Sequence, residues 1–154
     1  MRIVWGPEYE LGILVIDRQH KRIVDYINEL DRLVGQPDAR LGVDRVLYDL
    51  VDYTESHFDF EEALMERAGY RGLEEHHRLH RQFTFHIESL RQRHRQGEDV
   101  AEALLQTLQK WLLNHILEED GAYRDEIRDF IDSIGRERLG GWVNDTVRKH
   151  FRVT

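Results

Sequence analysis

Two pairs of side chains with metal-binding chemistry stand four residues apart in this sequence. His57 and Glu61 form one pair, and His76 and His80 form the other. Residues four apart lie on one face of an α-helix, with their Cβ atoms about 5–6 Å from each other, so each pair can bind one metal ion or bridge two. A single pair of this kind on a charged helix more often lies on a solvated face, so further donors are needed to support a metal site.

The other candidate donors are His20, His115 and Asp120, and their placement depends on the helices that the chain forms. Apolar residues recur every three or four positions, and glycine-containing turns separate four long segments. The sequence therefore predicts helices over residues 17–34, 41–68, 73–94 and 99–131. Because short connections make neighbouring helices antiparallel, the predicted fold is all-α, an up-down-up-down four-helix bundle with an N-terminal loop and a short extra C-terminal helix.

The candidate donors fall at similar heights in such a bundle. An α-helix rises about 1.5 Å per residue, and residues equally far from a turn face each other across an antiparallel pair. Counted from the turns near residues 36, 70 and 97, the donors lie within about two helical turns of one another. The sequence thus predicts that five histidines and two carboxylates converge from four helices, namely His20, His57, Glu61, His76, His80, His115 and Asp120.

This donor set is too large for one ion and indicates a dinuclear site, with one ion richer in histidine and an open coordination position on the other. Nitrogen and oxygen donors suit iron, zinc, manganese or copper. The spacing of Asp120 is irregular, because five residues place it roughly 140° from the face of His115. Glu118 or Glu119 would fit a regular helix better, so ligation by Asp120 requires a π-bulge, a feature often found at functional sites.

Composition excludes several other classes of protein. The 154 residues fit one domain, and the absence of cysteine excludes disulfide scaffolds and thiolate chemistry. A formal charge of −8 argues against nucleic acid or an anionic membrane as the main partner. The longest apolar run, residues 11–16, is far shorter than the roughly 20 residues that span a bilayer. With no recognisable signal peptide, we expect a cytoplasmic protein.

Taken together, these motifs resemble the bacterial hemerythrins over about residues 3–130. Each motif alone is weakly specific, but their combination is highly specific. The segments that carry the resemblance are residues 16–21 and 57–65, the pair His76 and His80, and residues 111–116 followed by Asp120, with Trp5 near the start.

The resemblance implies reversible dioxygen binding at a non-haem di-iron centre, with two iron ions per chain and an oxo or hydroxo bridge. Dioxygen would bind at the iron that has only two histidine ligands. By position, one iron would be bound by His76, His80 and His115, the other by His20 and His57, and both by the bridging Glu61 and Asp120.

The resemblance also implies an apolar wall around the dioxygen pocket, formed by Phe58, Trp111 and Leu112. Ordinary core positions explain these three residues equally well, and the two roles are compatible. The remaining histidines are predicted at the surface, and they are His77, His86, His94 and His150.

The C-terminal residues depart from a minimal domain of this kind. Residues 1–134 are predicted to form the hemerythrin-like domain, and residues 135–154 a C-terminal extension with a short amphipathic helix. Apolar residues of 142–151 share one face of that helix. A fifth helix docked on the bundle is favoured over self-association or contact with a protein partner through 142–151.

The predicted function is the storage, delivery or sensing of dioxygen without turnover, and no catalytic residue is assigned. The alternative is a di-iron enzyme on the same site, such as an oxidase, a peroxidase or a nitric oxide reductase. Ferritin-like di-iron enzymes use two Glu-x-x-His motifs, and the His-rich donor set here favours reversible binding. A third interpretation, a structural or regulatory bundle with zinc or no metal, leaves the interior histidines and carboxylates unexplained.

Overall fold

The computed structural model describes residues 2–115, 121–134 and 136–150. Within these residues the secondary structure is helical and contains no β-strand. A short 3₁₀ helix, Pro7–Tyr9, precedes the α-helices. The α-helices are α1 (Leu14–Leu33), α2 (Arg40–Ala68), α3 (Leu73–Arg95), α4 (Ala101–Asn114), α5 (Gly121–Ile134) and α6 (Arg136–His150).

The helices pack as a bundle around one interior. Helix α1 packs against α2 and α4, and α3 packs against the same two helices, so α1 to α4 close a ring of neighbours. Helix α5 packs against α2. The short connections make successive helices antiparallel. The predicted all-α four-helix bundle is therefore confirmed, and it brings inward-facing residues of all its helices to a common interior.

The bundle interior contains two separate apolar clusters. The large apolar cluster joins α1, α2, α3 and α4, and the small apolar cluster joins the N-terminal segment, α1, α2 and α5. The large cluster consists of Ile23, Val24, Ile27, Leu30, Val43, Leu47, Leu50, Val51, Phe58, Phe83, Ile87, Leu90, Val100, Ala101, Leu104, Leu105 and Leu108. The small cluster consists of Leu11, Ile13, Ile16, Phe60, Leu64, Met65, Tyr123 and Ile127.

Buried polar side chains interrupt the apolar stripe between these clusters, and we call them the polar layer. On α1, His20 lies between Ile16 of the small cluster and Ile23 of the large one. The burial of apolar side chains on both sides is what stabilises this fold, at about 25 cal/mol per Å² of apolar surface removed from water. The polar layer itself is not a source of hydrophobic stabilisation, so its presence calls for a functional reason.

The N-terminal loop is attached to α1 by side-chain hydrogen bonds. The Asp17 carboxylate accepts hydrogen bonds from the backbone N–H groups of Leu11 and Gly12, at 2.8 and 3.1 Å. Asn28 pairs with the backbone of Ile3, accepting from its N–H and donating to its carbonyl, both at 2.8 Å. These contacts fix the N-terminal segment, whose Leu11 and Ile13 belong to the small cluster.

The first three predicted helices match the structure to within about three residues at each end. The predicted helix 99–131 is described as two helices, α4 and α5, and residues 116–120 between them lie outside the described part of the chain. The C-terminal helix begins at Arg136, earlier than the predicted segment 142–151, and Gly140 and Gly141 lie inside it. Helix α6 packs against α2 and α5.

No helix in the described residues is long and apolar enough to cross a bilayer. The division of the chain into a domain ending at residue 134 and an extension from residue 135 stays a prediction. A contact between residues 142–151 and another protein also stays a prediction.

Replacing Leu47 by alanine should lower the free energy of unfolding by about 2–5 kcal/mol, because the fully buried side chain leaves a cavity in the large cluster. Leu41→Ala on the same helix is the matched control, because Leu41 is 82% exposed. That control should change stability by less than about 0.5 kcal/mol. Urea unfolding followed by circular dichroism checks both values, and equal losses would contradict the assignment of the core.

Candidate metal centre

The carboxylate of Glu61 lies among five histidine side chains, three of which approach its Oε1 atom. This oxygen is 2.6 Å from Nε2 of His76, 3.2 Å from Nε2 of His80 and 3.7 Å from Nε2 of His115. The three imidazoles come from α3 and from the residue that follows α4. Oε1 of the carboxylate is therefore surrounded by three nitrogen donors.

The Oε2 atom of Glu61 faces the other two histidines. It is 3.2 Å from Nε2 of His57 and 3.8 Å from Nε2 of His20. His57 precedes Glu61 by one helical turn on α2, and His20 comes from α1. The six side chains are at most 4% exposed. The structure thus brings together six of the seven predicted ligands and divides the histidines into unequal sets of three and two.

The donor atoms form two overlapping groups that fit metal ions. The atoms of His20, His57, Glu61 and His115 all lie within 4.8 Å of one another. The same holds for Glu61, His76, His80 and His115. Because Glu61 offers one oxygen to each side, two adjacent ions can share its carboxylate, and the all-nitrogen-and-oxygen donor set suits first-row metals such as iron.

Burial alone would raise the pKa of Glu61, because it penalises the charged carboxylate. The charge of His57 and hydrogen bonds from neighbouring histidines, including His76, outweigh that effect and hold the pKa well below its usual range. The carboxylate is consequently anionic at neutral pH, which is the form that binds a cation.

Tyr123 is a further contact of Glu61, and the sequence analysis did not assign it to the site. Its hydroxyl donates a hydrogen bond to Oε2 of Glu61 at 3.1 Å, and its ring is fully buried. The ring also lies edge-on to His76, with centroids 5.4 Å apart. The sequence did offer one signal for this contact. A tyrosine among the apolar positions of a helix face is expected to be buried, and a buried hydroxyl needs a hydrogen-bond partner.

Gln19 holds the orientation of His57. Nδ1–H of His57 donates to Oε1 of Gln19 at 2.7 Å, and Gln19 is buried. If a metal ion takes the place of the proton on Nε2, His57 can keep this Nδ1–H hydrogen bond while Nε2 serves as the ligand atom. The sequence analysis included Gln19 only within the segment 16–21. No spacing rule predicts which residue of one helix will contact a histidine on another helix.

Glu62 connects the interior of the site with the surface. Its Oε2 atom is 3.5 Å from Nδ1 of His80, and its Oε1 atom accepts a hydrogen bond from the exposed His77. Burial opposes the charged form of Glu62, but hydrogen bonds from His80 and His77 lower its pKa below the usual value. His77 is exposed, as predicted.

Two predicted pocket residues stack on candidate ligands. The ring of Phe58 lies parallel to that of His80 with centroids 3.8 Å apart, and Trp111 stacks on His115 at 4.4 Å. Both stacks lie on the three-histidine side and restrict rotation of the imidazoles. Whether Phe58 and Trp111 also wall a dioxygen pocket stays a prediction, and the side chain of Leu112 lies outside the described part of the chain.

Asp120, Glu118 and Glu119 also lie outside the described residues, so the assignment of Asp120 as a ligand stays a prediction. The backbone leaves α-helical form after Asn114, and His115 is in a π-helical turn.

The prediction that His94 lies at the surface is wrong. Its side chain is 3% exposed, and its Nε2 atom is 3.2 Å from Oδ1 of Asp44. His94 follows Leu90 by one helical turn, so it continues the buried face of α3. His86 is exposed as predicted, and the side chain of His150 lies outside the described part of the chain.

Comparisons with known proteins identify similar sequences over most of the chain. The family model described as "Hemerythrin HHE cation binding domain" matches residues 11–132. A bacteriohemerythrin of Stenotrophomonas maltophilia is 40% identical over 151 residues, which cover 97% of each chain. A bacteriohemerythrin of Clostridium acetobutylicum is 29% identical over 127 residues, which cover 79% of this chain and 98% of the relative.

A solved structure described as wild-type hemerythrin has a similar fold. The TM-score is 0.78 at 26% sequence identity, and the alignment covers 82% of this chain and 98% of the solved one. The helical arrangement that surrounds Glu61 is thus shared with a known structure.

Glu61→Ala should abolish the binding of two metal ions per chain, because this carboxylate is the described side chain that faces both histidine sets. His77→Ala is the control, since His77 is exposed and next to a candidate ligand, and it should still bind two. Metal analysis by mass spectrometry after anaerobic loading measures the stoichiometry. Equal losses in the two variants would refute the arrangement.

Gln19→Leu should weaken metal binding on the two-histidine side by about 10- to 100-fold, because His57 loses the acceptor that orients it. Gln19→Glu retains an acceptor and should bind nearly as tightly as the unmodified protein. Competition with a chelator of known affinity measures both constants. Unchanged affinity in Gln19→Leu would show that Gln19 does not support the ligand.

Proposed function

The chain belongs to the hemerythrin family, and from this premise we propose that it binds dioxygen reversibly at a non-haem di-iron centre. The observation that supports this proposal is the position of one buried carboxylate between histidine sets of unequal size. Two ions held there would have different numbers of histidine ligands, which would leave a coordination position open on the two-histidine side.

The proposed ligand assignment follows from the two carboxylate oxygens of Glu61, each of which faces one set of histidines. Glu61 and Asp120 would hold both ions, and Tyr123 donates to the Glu61 oxygen on the two-histidine side. One iron would be held by His76, His80 and His115, which face Oε1, and the other by His20 and His57, which face Oε2.

When bound, the iron pair supplies the redox chemistry that dioxygen binding requires, and the protein controls access to it. The large cluster contributes Phe58 next to His80, and Phe83 stacks on Trp111 with centroids 3.9 Å apart. These apolar rings exclude water from the three-histidine side of the site.

Reversible binding is preferred to turnover because of the donor set. Five histidines and one carboxylate make up the described part of the site. Ferritin-like di-iron enzymes instead take a glutamate from each helix and add two histidines. A site rich in neutral imidazole therefore supports the storage, delivery or sensing of dioxygen over oxidation of a substrate.

The test is to produce the protein with sufficient iron, count iron per chain and record visible spectra while dioxygen is admitted and removed. We expect about two iron ions per chain and a colour change that reverses over repeated cycles. Glu61→Ala is the control and should give no reversible change. A spectrum that decays only when a reductant or peroxide is consumed would favour a di-iron enzyme, and absence of iron would exclude both functions.

A further inference from the structure

Helix α6 lies beyond residue 132, where the family match ends, and it packs against α2 and α5. Trp142 and Val143 pack against the small apolar cluster, and Thr146 is 8% exposed. That cluster contains Tyr123, which contacts the candidate metal centre. The extra helix therefore covers the side of the bundle that holds the Tyr123 contact to Glu61.

Trp142 makes one aromatic contact and one cation–π contact with α2. Its ring centroid is 6.1 Å from that of Phe60, which is fully buried and directly precedes Glu61 in the chain. The guanidinium carbon of Arg67 is 5.4 Å from the Trp142 ring centroid, a cation–π contact. Trp142 thus packs on the turn of α2 that carries the central carboxylate.

The same cluster supports the second contact to Glu61. Tyr123 on α5 belongs to the small cluster together with Phe60, and its hydroxyl donates to Oε2 of Glu61. Helix α5 packs against both α2 and α6. The backbone that carries Glu61 and the hydroxyl that holds its oxygen therefore both depend on packing that α6 covers.

We propose that Trp142 is a positioning residue for the metal centre, which acts through Phe60 and Tyr123 to hold the Glu61 carboxylate between the two histidine sets. This proposal rests on the proposed function, because it treats Glu61 as a bridging ligand. Removing the indole ring leaves a void beside Phe60, and neighbouring side chains close such voids only in part. The carboxylate then loses its fixed orientation, and metal ligands that are poorly oriented bind more weakly.

The experiment uses the full chain loaded with cobalt(II), whose visible d–d bands report coordination geometry independently of dioxygen. Trp142→Ala should change these bands and speed the release of cobalt to excess EDTA by about tenfold or more. Trp142→Phe keeps an aromatic ring against Phe60, and it should restore the bands and bring the release rate to within about twofold of the unmodified protein.

Trp5→Ala is the matched control, because Trp5 is also half-buried but stacks on Tyr9 and packs against the large cluster. It should lower the thermal midpoint as Trp142→Ala does, yet leave the cobalt bands and release rate unchanged. Equal spectra and release rates in the two variants would overturn the proposal, since Trp142 would then act only on stability. If Trp142→Ala does not fold, Trp142→Leu replaces it, with the same expected change and the same contradicting outcome.

The cobalt readout separates this proposal from the proposed function. If the unmodified protein binds two cobalt ions but does not bind dioxygen reversibly with iron, the proposed function fails, and the Trp142 variants still decide the positioning role. If dioxygen binding is reversible but Trp142→Ala retains the unmodified cobalt spectrum and release rate, the positioning role alone is refuted.

Discussion

The burial of the Glu61 carboxylate among five imidazoles is the constraint on which the rest of this structure depends. A charged carboxylate in a protein interior costs several kcal/mol unless opposite charge and hydrogen bonds compensate it. Here the compensation comes from histidines on α1, α2 and α3 and from His115 after α4, so one side chain links the whole bundle. Metal ions between these donors would complete that compensation.

Burial of the two apolar clusters offsets the free-energy cost of burying such a polar layer in a small bundle. The large cluster lies on one side of the layer and the small cluster on the other, and both contain fully buried side chains. Phe58 and Trp111 form a boundary between apolar core and site, since their rings stack on His80 and His115. The same packing that stabilises the fold therefore orients the candidate ligands and limits the access of water.

A second set of contacts surrounds the donors, in part from the helices that carry the donors and in part from α5. Gln19 holds His57, Glu62 contacts His80, and Tyr123 on α5 holds the Glu61 oxygen. Helix α6 extends this arrangement, because Trp142 packs beside the turn of α2 that carries Glu61. In the described residues, the C-terminal helix contacts the small apolar cluster, which contains Tyr123.

The sequence alone determined the helices, the bundle and the candidate donors, because a repeat of 3.6 residues decides which side chains share a helix face and at what height they meet. Only the tertiary structure decided which Glu61 oxygen faces which histidine set, that Tyr123 and Gln19 contact the site, and that His94 is buried. Those facts depend on the rotation of neighbouring helices and on side-chain conformations, which spacing along one chain does not specify.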